Sequence, residues 1–153
     1  YGPWGRPDMA PMIFAKSIIN REPINVFNYG KMKRDFTYID DIVEGIYRCC
    51  YKPAYVDNKF DALNTKPCSS FAPFRIFNMG NSNPIELLNF IEVLEDTLGV
   101  KAIRNFQPIQ LGDVESTSAN TDLLESWIDF KPSTSIKTGV KRFAKWYLDY
   151  HKI

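Results

Sequence analysis

The chain has 153 residues, 44% apolar and 14% aromatic, enough for one hydrophobic core and too much for a disordered tail. Its 19 Lys and Arg nearly balance 18 Asp and Glu, which excludes the broad positive field of a nucleic-acid binder and makes any anion site local. No apolar run approaches the roughly 20 residues that cross a bilayer and no signal segment opens the chain, so a cytoplasmic protein without membrane contact is expected.

Tyr1 leads straight into the turn-rich Gly2-Pro3-Trp4-Gly5-Arg6-Pro7, with no Met and no preceding element, and reads as a start in mid-protein. Met9, Met12, Ile13, Ile18 and Ile19 recur at helical spacing, and Asn20-Arg21-Glu22-Pro23 ends that helix. Ile24 to Phe27 reads as a strand, followed by a loop at Asn28-Tyr29-Gly30 and the basic run Lys31-Met32-Lys33-Arg34. Phe36 and Tyr38 continue in extended form. Asp40 or Asp41 is placed to cap a helix whose apolar face is Ile42, Val43, Ile46, Tyr47 and Cys50, ending near Tyr51 before Pro53.

Residues 53 to 73 have no clear periodicity and read as an irregular surface excursion. Phe74 to Met79 is a compact apolar strand candidate. Asn83, Pro84 and Glu86 carry helix-start signals, with Leu87, Leu88, Ile91, Leu94 and Leu98 as the buried stripe and Gly99 as the stop. Lys101 to Phe106 reads as a strand. One helix then runs through Leu123, Leu124, Trp127 and Ile128, and another through Ile136, Val140, Phe143, Ala144, Tyr147 and Leu148. Alternating strands and helices without an internal repeat predict one α/β unit.

Cys49, Cys50 and Cys68 suit neither a disulfide framework nor a zinc site and are expected as reduced, buried thiols; no metal is expected. The informative cluster is Asn25 through Asp41. A Gly-containing turn leading to a fixed guanidinium is a sound way to hold a diphosphate, because the planar fork donates two hydrogen bonds to phosphate oxygens. From the residues alone, a solvated basic turn with Arg34 paired to Asp35 or Asp40 is the better-fitting reading.

The segment Gly30-x-x-x-Arg34-Asp35-Phe36-x-Tyr38-x-x-Asp41 is similar to the one by which extended short-chain dehydrogenases/reductases, the NAD-dependent epimerase/dehydratase family, hold a substrate diphosphate. The order of other motifs agrees. Tyr1-Gly2-Pro3 resembles the family's Tyr-Gly-Pro turn, Asn78-Met79-Gly80 its late Asn-x-Gly strand, Gly112-Asp113-Val114 its Gly-Asp-Val loop, and Trp146-Tyr147 its ending. The resemblance spans 1 to 153. Gly2-Pro3-Trp4-Gly5-Arg6-Pro7-Asp8-Met9-Ala10 is most similar to the UDP-glucuronate 4-epimerase version of the turn.

This resemblance implies an α/β, Rossmann-like fold of which residues 1–153 form the C-terminal, substrate-binding region, with 74–80 returning to the sheet of an absent N-terminal, NAD-binding half. Apolar strand and helix faces should then be exposed. It implies Arg34 on the diphosphate, Asn25 and Phe27 offering backbone hydrogen bonds to uracil, and Asp113 near the ribose. Many relatives place an Arg three residues before that aspartate as a second diphosphate contact; here it is Gln110, whose amide can still donate. Arg6, on a Pro- and Gly-fixed loop, is the candidate clamp for a sugar carboxylate, with a local pair to Asp8 as the alternative. The implied parent is a homodimeric isomerase of polysaccharide biosynthesis that binds NAD and a UDP-sugar. Another nucleotide-sugar epimerase, dehydratase or decarboxylase, or a non-catalytic assembly module, is the rival.

The redox chemistry has no credible residue in this chain, so no catalytic residue is assigned and the chain alone is expected to be inactive. No Gly-x-Gly-x-x-Gly occurs. Tyr29 to Lys33 and Tyr55 to Lys59 match Tyr-x-x-x-Lys, but Gly30 and the stretch after Pro53 deny both the helix that would bring Tyr and Lys onto one face. His151, at a frayed end, is given no role.

Overall fold

Pro11 in the first turn and the apolar repeat Phe14, Ala15, Ile18 fit a helix with one buried stripe. In the computed structural model, which describes residues 1–153, that helix is α1 (Ala10–Ile19) and those three side chains are buried. The order continues β1 (Pro23–Val26), β2 (Lys33–Arg34), α2 (Ile39–Tyr51), β3 (Ile85–Glu86), α3 (Leu87–Leu98), β4 (Ile103–Phe106), α4 (Asp122–Ile128) and α5 (Ile136–His151).

Two small sheets result. β1 and β4 are parallel, with Ile24 opposite Arg104 and Val26 opposite Phe106; β2 and β3 are antiparallel, Lys33 opposite Glu86 and Arg34 opposite Ile85. The core lies where α1, α3 and α5 cover β1: Ile18, Ile24, Val26, Phe90, Ile91, Leu94, Val140 and Phe143 are wholly or almost wholly buried in it. Phe90 stacks on Phe36 at 4.5 Å between centroids, and the edge of Tyr1 meets Phe90 at 6.3 Å. Ser135 caps α5, its Oγ accepting from the Thr138 amide at 3.2 Å. His151 is the last residue of α5, against the Tyr147 ring.

One buried acid ties α3 to β4. The Glu95 carboxylate accepts from Lys101 Nζ at 3.0 Å, the Ala102 amide at 3.1 Å, and Arg104 Nε and Nη2 at 3.2 and 2.9 Å. Burial pushes its pKa up, but the hydrogen bonds from Lys101, Arg104 and Ala102 outweigh that and hold it below the usual glutamate range.

Several local expectations are corrected. Asp40 and Asp41 lie in the first turn of α2, which has no side-chain cap. The Asp41 carboxylate instead accepts from the Ser133 and Thr134 amides at 3.2 and 2.9 Å, tying that distant loop to α2. Residues Val43, Ile46 and Tyr47 of its apolar face are exposed. The helix expected after Asn83 starts at Leu87, because Ile85 and Glu86 are taken up by pairing with β2. The strand expected from Lys101 begins at Ile103. The thiols form no disulfide, as expected, but none is buried: Cys50 is exposed and Cys49 and Cys68 are half-buried.

The largest departure is Phe74 to Met79, which is in no strand. It keeps a strand's alternation, Arg75, Phe77 and Met79 being half-buried and Phe74, Ile76 and Asn78 exposed. Its inner side is occupied, Phe77 packing on Trp127 at 5.7 Å between centroids. The amides of Phe77, Asn78 and Met79 have no acceptor within the chain. A strand is defined by its ladder, and no neighbouring strand supplies one here.

Candidate functional site

Three segments meet beneath α1. The first is β1, whose outer edge is free. Because the Gln107 amide donates to the Val26 carbonyl at 3.0 Å, the main-chain groups of Val26 face β4. Alternation then turns those of Asn25 the other way, and Phe27 opens the turn that follows. The second is the turn after β1, where Asn28, Tyr29 and Gly30 all have positive φ, 49°, 50° and 82°. Only glycine fits at position 30, since a Cβ there would lie 2.7 Å from the Leu88 side chain. This turn delivers Met32 to the core and Arg34 to the surface of the cleft.

The third segment is the loop from Gln110 to Ala119. It is sewn alongside β2 by main-chain bonds, Lys33 N to Glu115 O at 2.8 Å and Thr117 N to Lys33 O at 3.2 Å. Asp35 is the knot of this arrangement. Its carboxylate accepts from the Ser82, Asn83 and Ala119 amides at 3.0, 3.3 and 3.3 Å, and its own amide donates to Thr117 Oγ1 at 3.2 Å. Gly80 lets the chain pass close by, because a Cβ there would lie 2.8 Å from an Asp35 carboxylate oxygen.

These segments enclose a cavity of about 580 Å³ whose lining includes Asn25, Phe27, Arg34, Gln110 and Asp113. Five of the six expected binding residues therefore share one cavity, although β1 and the Gln110 loop are some 80 positions apart in sequence. Phe36, Met32 and Leu87 give it an apolar floor, and Asp8, Asp35 and Thr117 add polar wall. That mix of apolar lining and few fixed polar groups suits a small organic ligand with a defined polar end.

Arg34 is the one cation in the lining. Its Nη1 donates to the Lys33 and Glu115 carbonyls at 2.9 and 3.3 Å, and its Nη2 to Asp113 Oδ1 at 2.8 Å. Neither Asp35 nor Asp40 is its partner, so the simple local pairing is not what forms. Gln110 is exposed and contributes its carbonyl to the turn, accepting from the Asp113 amide at 3.1 Å.

Arg6 is the expected residue that stands apart. It is outside the cavity lining, its side chain is 75% exposed, and it forks onto Asp8 through Nε at 3.1 Å and Nη2 at 2.5 Å. The alternative local pair is thus the one formed. Its hydrogen bonds hold the Asp8 carboxyl below its usual range. Asp8 itself lines the cavity, so Arg6 stands one side chain away from it. The loop is fixed from the other side by Trp4, whose ring packs on Trp146 and Tyr150 of α5 at 5.4 and 5.0 Å.

Asp35 and Thr117 were not singled out as site residues from sequence. Asp35 carried a hint, standing beside Arg34 within the motif; Thr117 carried none, since only the tertiary path of its loop brings it in. Neither Tyr-x-x-x-Lys match forms a catalytic pair: Tyr29 sits in the turn with positive φ and Tyr55 in irregular chain.

Residues 1–67 match the model of the NAD dependent epimerase/dehydratase family. Over 99% of its length the chain is 49% identical to Protein CapI of Staphylococcus aureus, and over 96% it is 48% identical to a probable UDP-glucuronate 4-epimerase of Rhizobium meliloti (strain 1021). It spans 46% and 43% of those proteins, less than half of each. The crystal structure of UDP-glucuronic acid 4-epimerase from Bacillus cereus with UDP-glucuronic acid and NAD superimposes with a TM-score of 0.77 at 27% identity, covering 98% of this chain and 43% of that one. The α/β architecture is therefore that of part of an NAD-dependent epimerase fold.

Proposed function

We propose that the chain is the UDP-sugar-binding region of a UDP-glucuronate 4-epimerase of the NAD dependent epimerase/dehydratase family. The single observation that carries this reading is the convergence of Asn25, Phe27, Arg34, Gln110 and Asp113 on one cavity. The free edge of β1 offers main-chain donors and acceptors to a uracil, whose edge presents the complementary groups. Arg34 holds the diphosphate, Asp113 takes the ribose hydroxyls, and Gln110 supplies a neutral donor beside them. Arg6 serves a sugar carboxylate by leaving Asp8, an exchange of one carboxylate for another on the same fork.

The full polypeptide, on this reading, interconverts UDP-glucuronate and UDP-galacturonate through a 4-keto intermediate, in the cytoplasm, as a homodimer serving polysaccharide synthesis. NAD finds no fitting cradle among residues 1–153: the eight glycines include no Gly-x-Gly-x-x-Gly, and no strand leads through a Gly-rich turn into a helix. We assign its binding, and the proton and hydride steps, to the length by which the relatives exceed this chain. We assign to that same length the sheet that pairs with residues 74–80 and covers Val43, Ile46 and Tyr47. The unpaired amides at 77–79 and the exposed apolar face of α2 support this.

A second reading, an enzyme for a neutral UDP-sugar, is favoured by one observation, the seating of Arg6 on Asp8 outside the cavity. Turnover of UDP-glucuronate and UDP-glucose by the full-length polypeptide separates the two. The expected result is preference for UDP-glucuronate, reduced on the order of tenfold or more by Arg6→Ala while UDP-glucose binding is unchanged. Preference for UDP-glucose, indifferent to Arg6, would establish the second reading.

A further inference from the structure

The donors of Arg34 are almost fully committed. Nη1 spends its hydrogens on two main-chain carbonyls and Nη2 reaches Asp113 Oδ1 at 2.8 Å and Met32 Sδ at 4.0 Å, which leaves Nε alone without a partner. A phosphate binds a guanidinium side-on through Nε and Nη2 together, so its fork here is half blocked by a carboxylate. The blockade is electrostatic as well: with Gln110 where a second cation could stand, the one lining cation is already neutralised. Asp113 is anchored in this pose, its Oδ1 also accepting from the Val114 amide at 2.9 Å, while Oδ2 makes no bond within the chain and is open to accept from hydroxyls.

We propose that Asp113 is a specificity-determining residue that keeps Arg34 closed to diphosphates lacking a ribose. This rests on the nucleotide-site reading above. A free pyrophosphate must displace the carboxylate from Nη2 and leave it facing a second anion with only the Val114 amide to satisfy it. A nucleoside diphosphate displaces it too, but brings vicinal hydroxyls that donate to the displaced carboxylate. The ribose is thus what releases the cation for the phosphates, and the two contacts form as one exchange.

The test is calorimetric titration of the full-length polypeptide with UDP and, separately, with inorganic pyrophosphate at fixed ionic strength. In Asp113→Asn the affinity for pyrophosphate rises on the order of tenfold, because the competing charge is gone, while that for UDP does not rise. The preference for UDP over pyrophosphate falls by at least that factor. Asp113→Ser, with the same loss of charge and a smaller side chain, gives the same shift, and an amide spectrum matching the wild type excludes a folding change. Pyrophosphate affinity unchanged or lowered in both variants, with UDP still bound through Arg34, would overturn the proposal and leave the nucleotide site standing. UDP binding that survives Arg34→Ala undisturbed would bring down the site reading itself, and this proposal with it.

Discussion

Arg34→Ala lowers the affinity of the chain for UDP on the order of 100-fold, measured by calorimetry. Charge-assisted hydrogen bonds to one group contribute about 1.5–3 kcal/mol, and each 1.4 kcal/mol is a factor of ten. The upper end applies here for a structural reason. Removing the guanidinium deletes the only lining cation and leaves Asp113, whose side chain is 32% exposed, as an unpaired carboxylate facing the incoming phosphates. Arg34→Lys recovers little of the loss, since an ammonium cannot hold two carbonyls and a phosphate in one plane. A variant that retains wild-type UDP affinity would mean that the cavity does not receive the diphosphate at Arg34.

Glu95→Ala lowers hydrogen-exchange protection of the α3 and β4 amides on the order of 100-fold, equivalent to about 3 kcal/mol. Glu95 is 2% exposed and its four hydrogen bonds close the end of α3 onto β4. The loss falls mainly on Arg104 and the Ala102 amide, because Lys101, 75% exposed, pairs in solvent and contributes little. Glu95→Gln keeps the volume and loses less. The pH dependence has a definite sign. A carboxylate whose folded pKa lies below its unfolded value stabilises the fold above about pH 4.3, the unfolded value, and loses that contribution as pH falls through the folded one. Protection corrected for intrinsic exchange therefore drops on acidification in the wild type, and this drop is shallower in Glu95→Gln. Equal slopes would remove Glu95 from the account.

Helices were legible wherever one stripe had a partner within the chain. Phe143, Ala144 and Tyr147 in α5, and Ile91 and Leu94 in α3, repeat at helical spacing and bury as expected. α2 shows the limit of that inference. Its period is as regular, but Val43, Ile46 and Tyr47 face no element of these residues, so periodicity predicted the helix and its apolar face without saying what covers that face. Phe74 to Met79 failed differently, because alternation shapes a strand but hydrogen bonds to a neighbour make one.

In the site, family resemblance gathered residues that spacing could not. Nothing local links Arg34 to Asp113, 79 positions away, yet both were expected at one diphosphate and ribose, and they meet at 2.8 Å. What the resemblance did not disclose was that they occupy one another. Arg6 stands outside the cavity for a simpler reason: Asp8 lies two residues away on the same turn, and a local pair costs the chain almost nothing to form. Asp35 was read only as a possible partner of Arg34, whereas its carboxylate takes three main-chain amides from two other segments.

The most direct test of the central claim, that this cavity receives a uridine diphosphate, is an amide and arginine Nε chemical-shift titration of the chain with UDP. The account predicts saturable shifts at Asn25, Phe27, Arg34 and Asp113, with the free edge of β1 responding together with the loop at 110–114. Shifts that spare these residues, or no UDP-dependent shift at all, would contradict it.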